Sequence, residues 1–457
     1  METHPGMRKA PGRFPRFPSA WTAVLLALAW ATCPGPAFAT GAPGDLRSAA
    51  FTSLWNEDSD RAYALFTAYL DAPGARRDRE TLLGLALACS WSGRQARAVD
   101  LYRELATSEP DDPAARIGLG RSLVWANRYR EGWGVLEDVE SRFGPASAGG
   151  RDARKFRLKV LDEYTPLALI GWESSWDSDD LDIARFRIQG AVPVAGILLH
   201  TGPRVSLYRQ PGRPDLTALR WEAGAGFPLR RNLSLHAAGW LESFRSDEPL
   251  EGEAEKLDWN RPGGDFWFTW LPRDRVRLDA GAGYQAVETF LAFGRRLALR
   301  QTNLSADLRL TRRIGLTAVG RLGEFTDGNQ RRQGRLAATW KHEGPVDLQL
   351  AAAFTVLDHS RPYPGGYWAP DHVAHGGLEA AAVLWRSRFV LRAAGSLGRE
   401  KETGADAITV GGGSVHLGLR LSGDWLVAVD AGHSRSAIST DSGYRRTSAG
   451  LSLRGIF

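Results

Sequence analysis

The chain has 457 residues, 43% of them hydrophobic and 24% charged, with a formal net charge of +6. Mean hydropathy is −0.29, and beyond residue 40 no apolar run approaches the roughly 20 residues of a spanning helix, which excludes a helical membrane protein. The positive charge is dispersed without a basic block, so the electrostatic footprint of a nucleic-acid binder is missing.

The N-terminal segment has the layout of a secretory leader. Arg8, Lys9, Arg13 and Arg16 form a basic region and Trp21 to Ala31 an apolar one. Ala37, Phe38 and Ala39 form a small-x-small site, so cleavage after Ala39 is expected and residues 1–39 leave the mature protein. A lipoprotein anchor at Cys33 is the alternative, but Thr32 is a poor neighbour for that processing. Loss of the leader leaves Cys89 alone, so no internal disulfide is expected and packing must supply the stability.

Between residues 45 and 160 the sequence repeats itself at a spacing of 34 residues. Gly84, Leu85, Trp91 and Arg94 return as Gly118, Leu119, Trp125 and Arg128. Gly93 is matched by Asn127, Ala98 by Gly132 and Tyr102 by Leu136, with Pro110 and Pro113 closing the first unit. The pattern resembles tetratricopeptide repeats. That resemblance implies paired helices, with Leu85 and Trp91 on the first, Ala98 at a close crossing and Tyr102 filling the groove. A weaker copy runs over Phe51 to Leu70, where Ala62, Tyr63, Leu65, Phe66 and Tyr69 fall at helical spacing. Two or three such units predict a small periplasmic helical domain, either a docking platform for a partner or polymer or a soluble foot for the segment that follows.

From Thr165 to Phe457 the period changes from near 3.6 to 2. Val415, Leu417, Leu419 and Leu421 alternate with His416, Gly418 and Arg420. Leu304, Ala306, Leu308 and Leu310 alternate with Asn303, Ser305, Asp307 and Arg309, and Leu219, Trp221 and Ala223 with Arg220 and Glu222. The 17 Trp and 51 Gly suit short, closely turned strands with aromatic residues at water–lipid boundaries. A soluble sandwich also alternates. The ending, with Leu451, Leu453, Gly455 and Phe457 on one face, resembles the C-terminal signal by which outer-membrane barrels are recognised for insertion. We therefore expect an α plus transmembrane β chain: the helical domain, then an antiparallel outer-membrane β-barrel of about 16 strands in contact with lipid.

Parity puts Arg220, Glu222, His236, Trp240, Glu242, Arg277, Asp279, Asp307, Arg309, Arg321, Arg335, Lys341, Arg392, His416, Arg420, Asp430 and Arg454 on the lumen face. Basic groups outnumber acidic ones. They predict either a hydrated duct that favours neutral or anionic solutes, or groups that pair with one another across strands. Trp221, Trp340, Trp385 and Trp425 read as interface girdle. Trp240 on the lumen face, and Tyr367 and Trp368 in a Gly/Pro-rich loop, would either stack on sugar rings or pack locally. His359, His372 and His375 stand near Asp358 and Asp371, but His372 and His375 are three apart in a strand start and face opposite sides. No G-x-S-x-G elbow or H-E-x-x-H pair occurs, so no catalytic residues, metal or cofactor are expected.

Pro364-Gly365-Gly366-Tyr367-Trp368-Ala369-Pro370 resembles a segment of the exopolysaccharide-export barrels, such as cellulose synthase operon protein C and the poly-N-acetylglucosamine porin. Gly323 to Arg332 resembles a turn of the same group. The layout of leader, repeats and barrel is most similar to the smaller YaiO-like members, although the large exporters carry long repeat arrays. The resemblance implies a polysaccharide-export pore, with Tyr367 and Trp368 at a saccharide-contact loop and a periplasmic partner or the polymer at the repeat domain. A structural or assembly barrel with a plugged lumen, and an outer-membrane hydrolase or deacylase, are the alternatives.

Overall fold

The computed structural model describes residues 43–163, 168–230, 232–250, 255–273, 275–311, 313–344, 346–386, 388–421, 424–436 and 445–456. The expected leader, Cys33 and Phe457 lie outside the described residues. Seven helices among the described residues precede the first strand: α1 (Pro43–Trp55), α2 (Ser59–Asp71), α3 (Arg79–Trp91), α4 (Gln95–Ser108), α5 (Pro113–Trp125), α6 (Tyr129–Phe143) and α7 (Ala148–Glu163).

Local chemistry fixes where these helices start and stop. Asp58, Asp78 and Asp112 cap α2, α3 and α5, accepting from the backbone N–H groups of Arg61, Thr81 and Ala114, and Pro113 opens α5 where no donor is needed. Gly93 and Asn127, matched at the repeat spacing, both take left-handed backbone (φ of 76° and 60°) and turn the chain from α3 into α4 and from α5 into α6. Gly118 is needed for contact: a Cβ there would lie 2.3 Å from the Tyr102 ring. Leu54, Phe66, Leu85, Tyr102 and Leu123 build one core, and Trp133, Leu136, Val139, Phe156 and Leu161 a second.

Cys89 is fully buried in the first core, and burial pushes its thiol up to about 11. Cys89 should therefore resist maleimide labelling in the native protein and take up the label once the chain is denatured. Labelling of the native chain at the rate of a free thiol would contradict this packing.

The strands run β1 (Ala168–Asp177), β2 (Asp182–Val194), β3 (Ile197–Arg209), β4 (Leu216–Arg230), β5 (Leu233–Pro249), β6 (Lys256–Arg273), β7 (Val276–Ala286) and β8 (Ala298–Arg309). A five-residue helix, α8 (Phe290–Gly294), interrupts the β7–β8 connection. The series continues through β9 (Ile314–Phe325), β10 (Gln330–His342), β11 (Val346–His359), β12 (His372–Trp385), β13 (Phe389–Glu402), β14 (Ile408–Arg420), β15 (Trp425–Arg435) and β16 (Arg445–Gly455). Each strand pairs antiparallel with its sequence neighbours, and β1 pairs with β16 from Ala168 opposite Gly455 to Asp177 opposite Arg446, so the sheet closes as a 16-strand barrel without an edge.

Alternation sorts the wall. Trp172, Phe186, Leu219, Trp221, Leu241, Leu316, Leu336, Leu350, Leu378, Leu417, Val429 and Leu451 point outward and are exposed. An apolar belt that encircles the whole wall far exceeds the patches that monomers leave in water, and is the surface a hydrocarbon layer covers.

Candidate functional site

The register places all thirteen of the expected pore-lining residues on the inner face, opposite the exposed leucines and aromatics. Many of them are locally paired. Arg220 meets Glu222 at 2.5 Å, with its guanidinium 3.5 Å from the Trp240 ring centre, and Arg277 meets Asp279 at 2.8 Å. Thr317 donates to Asp307 at 2.6 Å, Arg321 reaches Gln333 at 3.5 Å, and Arg335 bonds Glu379 at 2.7 Å. Trp240 is buried beneath Arg220, so it supports that side chain and offers no free ring face to a sugar.

The remaining inward groups meet the helical domain. Asp162, near the end of α7, has no exposed side-chain surface and is caged by three strands: Arg392 of β13 at 2.5 Å, His416 of β14 at 2.7 Å and Arg454 of β16 at 3.9 Å. His416 also contacts Asp430 at 2.6 Å, and Arg392 contacts Glu163 at 2.7 Å. Behind this cage Arg157 is buried against Glu137 (2.7 Å), Glu140 (3.0 Å) and the Trp133 ring (4.4 Å), while Arg420 lies 3.9 Å from Glu140. Charges this deep persist only when paired, so the docking is specific in geometry.

Further contacts ring the short-turn mouth. Asn127 donates to the Gly196 carbonyl between β2 and β3 (3.0 Å), Lys155 pairs with Asp347 of β11 (3.2 Å), and Arg309 of β8 lies 3.5 Å from Glu57. Arg275 donates to the Asn56 carbonyl, and Leu426, Ala428 and Ile456 join the apolar core of α6 and α7. Because β2 and β11 stand on opposite sides of a closed 16-strand wall, the helices lie across the mouth. Trp385, expected in the interface girdle, instead packs against this core and donates to Asp347 at 3.1 Å, because the strand end on which it sits is covered by α7.

At the opposite mouth the β7–β8 connection folds inward. Phe293 is fully buried between Tyr208 (4.8 Å between ring centres) and Phe244 (5.1 Å), and Glu288 accepts from Tyr208 at 3.0 Å and pairs with Arg185. The two segments that resemble the export barrels meet here. Tyr367 stacks on Phe325 at 4.1 Å, receives a hydrogen bond from Asn329 (3.0 Å) and donates to Asp327 (3.1 Å). Only 8% of Tyr367 is exposed, and burial pushes its phenol up. Trp368 is half-buried and, with Tyr367, borders a cavity of about 430 Å³ that is also lined by Asp179, Gln210, Arg213 and Leu291.

His372 and His375 face opposite sides of β12, as their spacing predicts. His372 meets Asp358 at 2.5 Å on one face, and His375 lies 3.6 Å from Glu400 on the other. Among the described residues no cluster of three His, Cys, Asp or Glu side chains has metal-binding geometry.

No family model matches the chain, and no curated protein matches it. Solved structures similar in fold include a bacterial polysaccharide outer membrane secretin, at 13% identity and a TM-score of 0.49, covering 64% of this chain and 99% of that one. A mutant of Rh. blastica porin matches at 11% identity and a TM-score of 0.28, over 64% of this chain and 98% of that one. The FrpB iron transporter from Neisseria meningitidis matches at 10% identity and a TM-score of 0.33, over 62% and 60%.

Proposed function

We propose that the chain is an outer-membrane pore that passes, or helps to export, a polysaccharide, with the helical domain in the periplasm, docked across the inner mouth and contacting a partner or the polymer. The observation that carries this reading is the wall itself: closed, apolar outside, and lined within by ionic groups that a hydrated duct requires. The saccharide part rests on the outer mouth, where the Trp368 ring stands beside Asp179, Gln210 and Arg213, an aromatic face with polar groups around it that suits a sugar ring. Transport is passive, through weak contacts to hydroxyl groups along a wet lumen. A second reading, a structural barrel held shut, is favoured by the caged Asp162.

Single-channel recording separates the two. With the helical domain released, the pore reading expects stable current steps and transient blocks when maltooligosaccharide is added. Trp368→Ala should shorten those blocks by roughly tenfold, the scale of one lost aromatic contact of about 1.4 kcal/mol. Silence under every condition would favour the shut barrel.

A further inference from the structure

At the mouth away from the helical domain, the outward face of the wall ends in a band of charge that is matched across strands over much of the circumference. Arg209 stands opposite Asp182, Arg245 opposite Asp258, Arg300 opposite Glu324 and Arg332 opposite Asp358. Register partners hold their Cβ atoms roughly 5 Å apart, so each of these cations has a counter-charge on the neighbouring strand.

The matching stops at β12. Arg399 and Lys401 of β13, Arg435 of β15 and Arg445 of β16 continue the band on the same outward parity as the exposed Leu397, Val429 and Leu451. Arg399 stands opposite Gly376 and Thr409, Lys401 opposite Ala374, and Arg435 between Gly411 and Arg445. The acids of these strands, Glu379, Glu400, Glu402 and Asp430, all fall on the inward parity, so no outward position from β12 to β16 holds a carboxylate. All four cations are exposed. Arg399 donates to the Ala407 carbonyl at 3.3 Å, and among the described residues no carboxylate pairs with any of the four, the turn acids Asp180 and Asp406 included.

The wall beside this rim is shaped as well as apolar. Leu378 and Leu397, register partners, stand out from it at 68% and 65% exposure, and border a trough of about 770 Å³ with Leu350, Ala352, Ala380 and Gly395. Arg399 lies two residues beyond Leu397 on the same face of β13, so a cluster of cations without counter-charge sits directly above an apolar slot on the lipid side. The molecule whose two halves match is an anionic head group on a hydrocarbon chain.

We propose that this sector of the outer wall binds a phosphorylated glycolipid of the outer leaflet, with Arg399, Lys401, Arg435 and Arg445 on its phosphates and an acyl chain in the trough. The guanidinium forks suit phosphate oxygens, and the phosphates relieve the repulsion between Arg435 and Arg445. The inference goes beyond the pore reading and does not depend on what the lumen carries. It takes from that reading only the helical domain in the periplasm, which puts this rim in the outer leaflet.

The test is native mass spectrometry of the detergent-solubilised full chain titrated with diphosphoryl lipid A, its monophosphoryl form and phosphatidylcholine. Diphosphoryl lipid A should be retained about tenfold more tightly than zwitterionic phosphatidylcholine, with the monophosphoryl form between them. Arg399→Gln, Lys401→Gln, Arg435→Gln and Arg445→Gln together should cost about tenfold in lipid A affinity, and R435Q with R445Q alone about threefold. The control that removes the same charge from the matched side, R209Q, R245Q, R300Q and R332Q together, should stay within about twofold of the parent, since those cations already have partners. Mobility in gels checks that each barrel is folded. Equal losses in the two fourfold variants would mean that net charge alone attracts the lipid, and would overturn the site. Equal retention of lipid A and phosphatidylcholine would overturn it too, and displacement of lipid A by inorganic phosphate would make it a free-anion site and overturn the lipid assignment. None of these results touches the single-channel currents, so the pore reading stands or falls separately.

Discussion

Asp162→Ala is expected to convert a quiet barrel into one that conducts. The carboxylate removed has no exposed surface and holds Arg392, His416 and Arg454 together, so its loss strands those groups in a site built for a counter-charge. Removing one partner from a buried ionic cluster costs about 3–5 kcal/mol. Here the cost falls on the docked arrangement, because undocking returns the cations to the wet lumen. Single-channel current should therefore appear or rise sharply in the variant. Arg392→Ala should add little on top of Asp162→Ala, since both break the same contact. If the variant and the parent conduct alike, the helices do not govern the mouth.

Phe293→Ala should release the opposite mouth. Phe293 is fully buried between Tyr208 and Phe244, and replacing a buried phenylalanine by alanine costs about 3–5 kcal/mol. The connection that carries α8 is held besides by the Glu288 contacts with Arg185 and Tyr208, by Thr289 on the Gly366 carbonyl and Arg295 on the Gly365 carbonyl, and by Ala292 and Leu297 packed with Phe325 and Tyr367, so the release expected is local to the Phe293 side. Limited proteolysis should then cut between β7 and β8 in the variant and spare the parent, with the barrel intact by its mobility in gels. Resistance equal to that of the parent would mean that the connection is held elsewhere.

Much of this architecture was legible in the residues because two periodicities dominate it. The step from 3.6 to 2 falls near residue 165, between α7 and β1, and the alternating wall segments each became a strand. Gly93 and Asn127, paired only by spacing, share one left-handed turn. Parity also assigned the inward residues, since a strand has only two faces.

What parity cannot give is what stands opposite a face. Arg392, Arg420 and Arg454 read as pore lining, yet they bind the helical domain, because the acidic pair Asp162-Glu163 closes a helix rich in Arg and Lys and looks like a solvated end. The Gly and Pro beside Tyr367 left open whether its ring meets sugar or packs locally, because no period shows in such a segment that its partner is Phe325. α8, at five residues, is too short for any period to show. A signal for the Asp162 cage did exist: His416 and Arg420 are inward cations at a strand end, with Asp430 the one acidic residue opposite them on β15.

The most direct measurement of the central claim is a spin-label scan along β5, one cysteine at a time from Ala237 to Phe244, in lipid vesicles with the native Cys89 buried and unlabelled. Collision with oxygen should peak at Ala237, Gly239, Leu241 and Ser243, which face lipid, and fall at Ala238, Trp240, Glu242 and Phe244, which face the lumen. A profile without that alternation, or one in which every position meets a water-soluble relaxant equally, would contradict a closed wall with hydrocarbon on one side and ionic groups on the other.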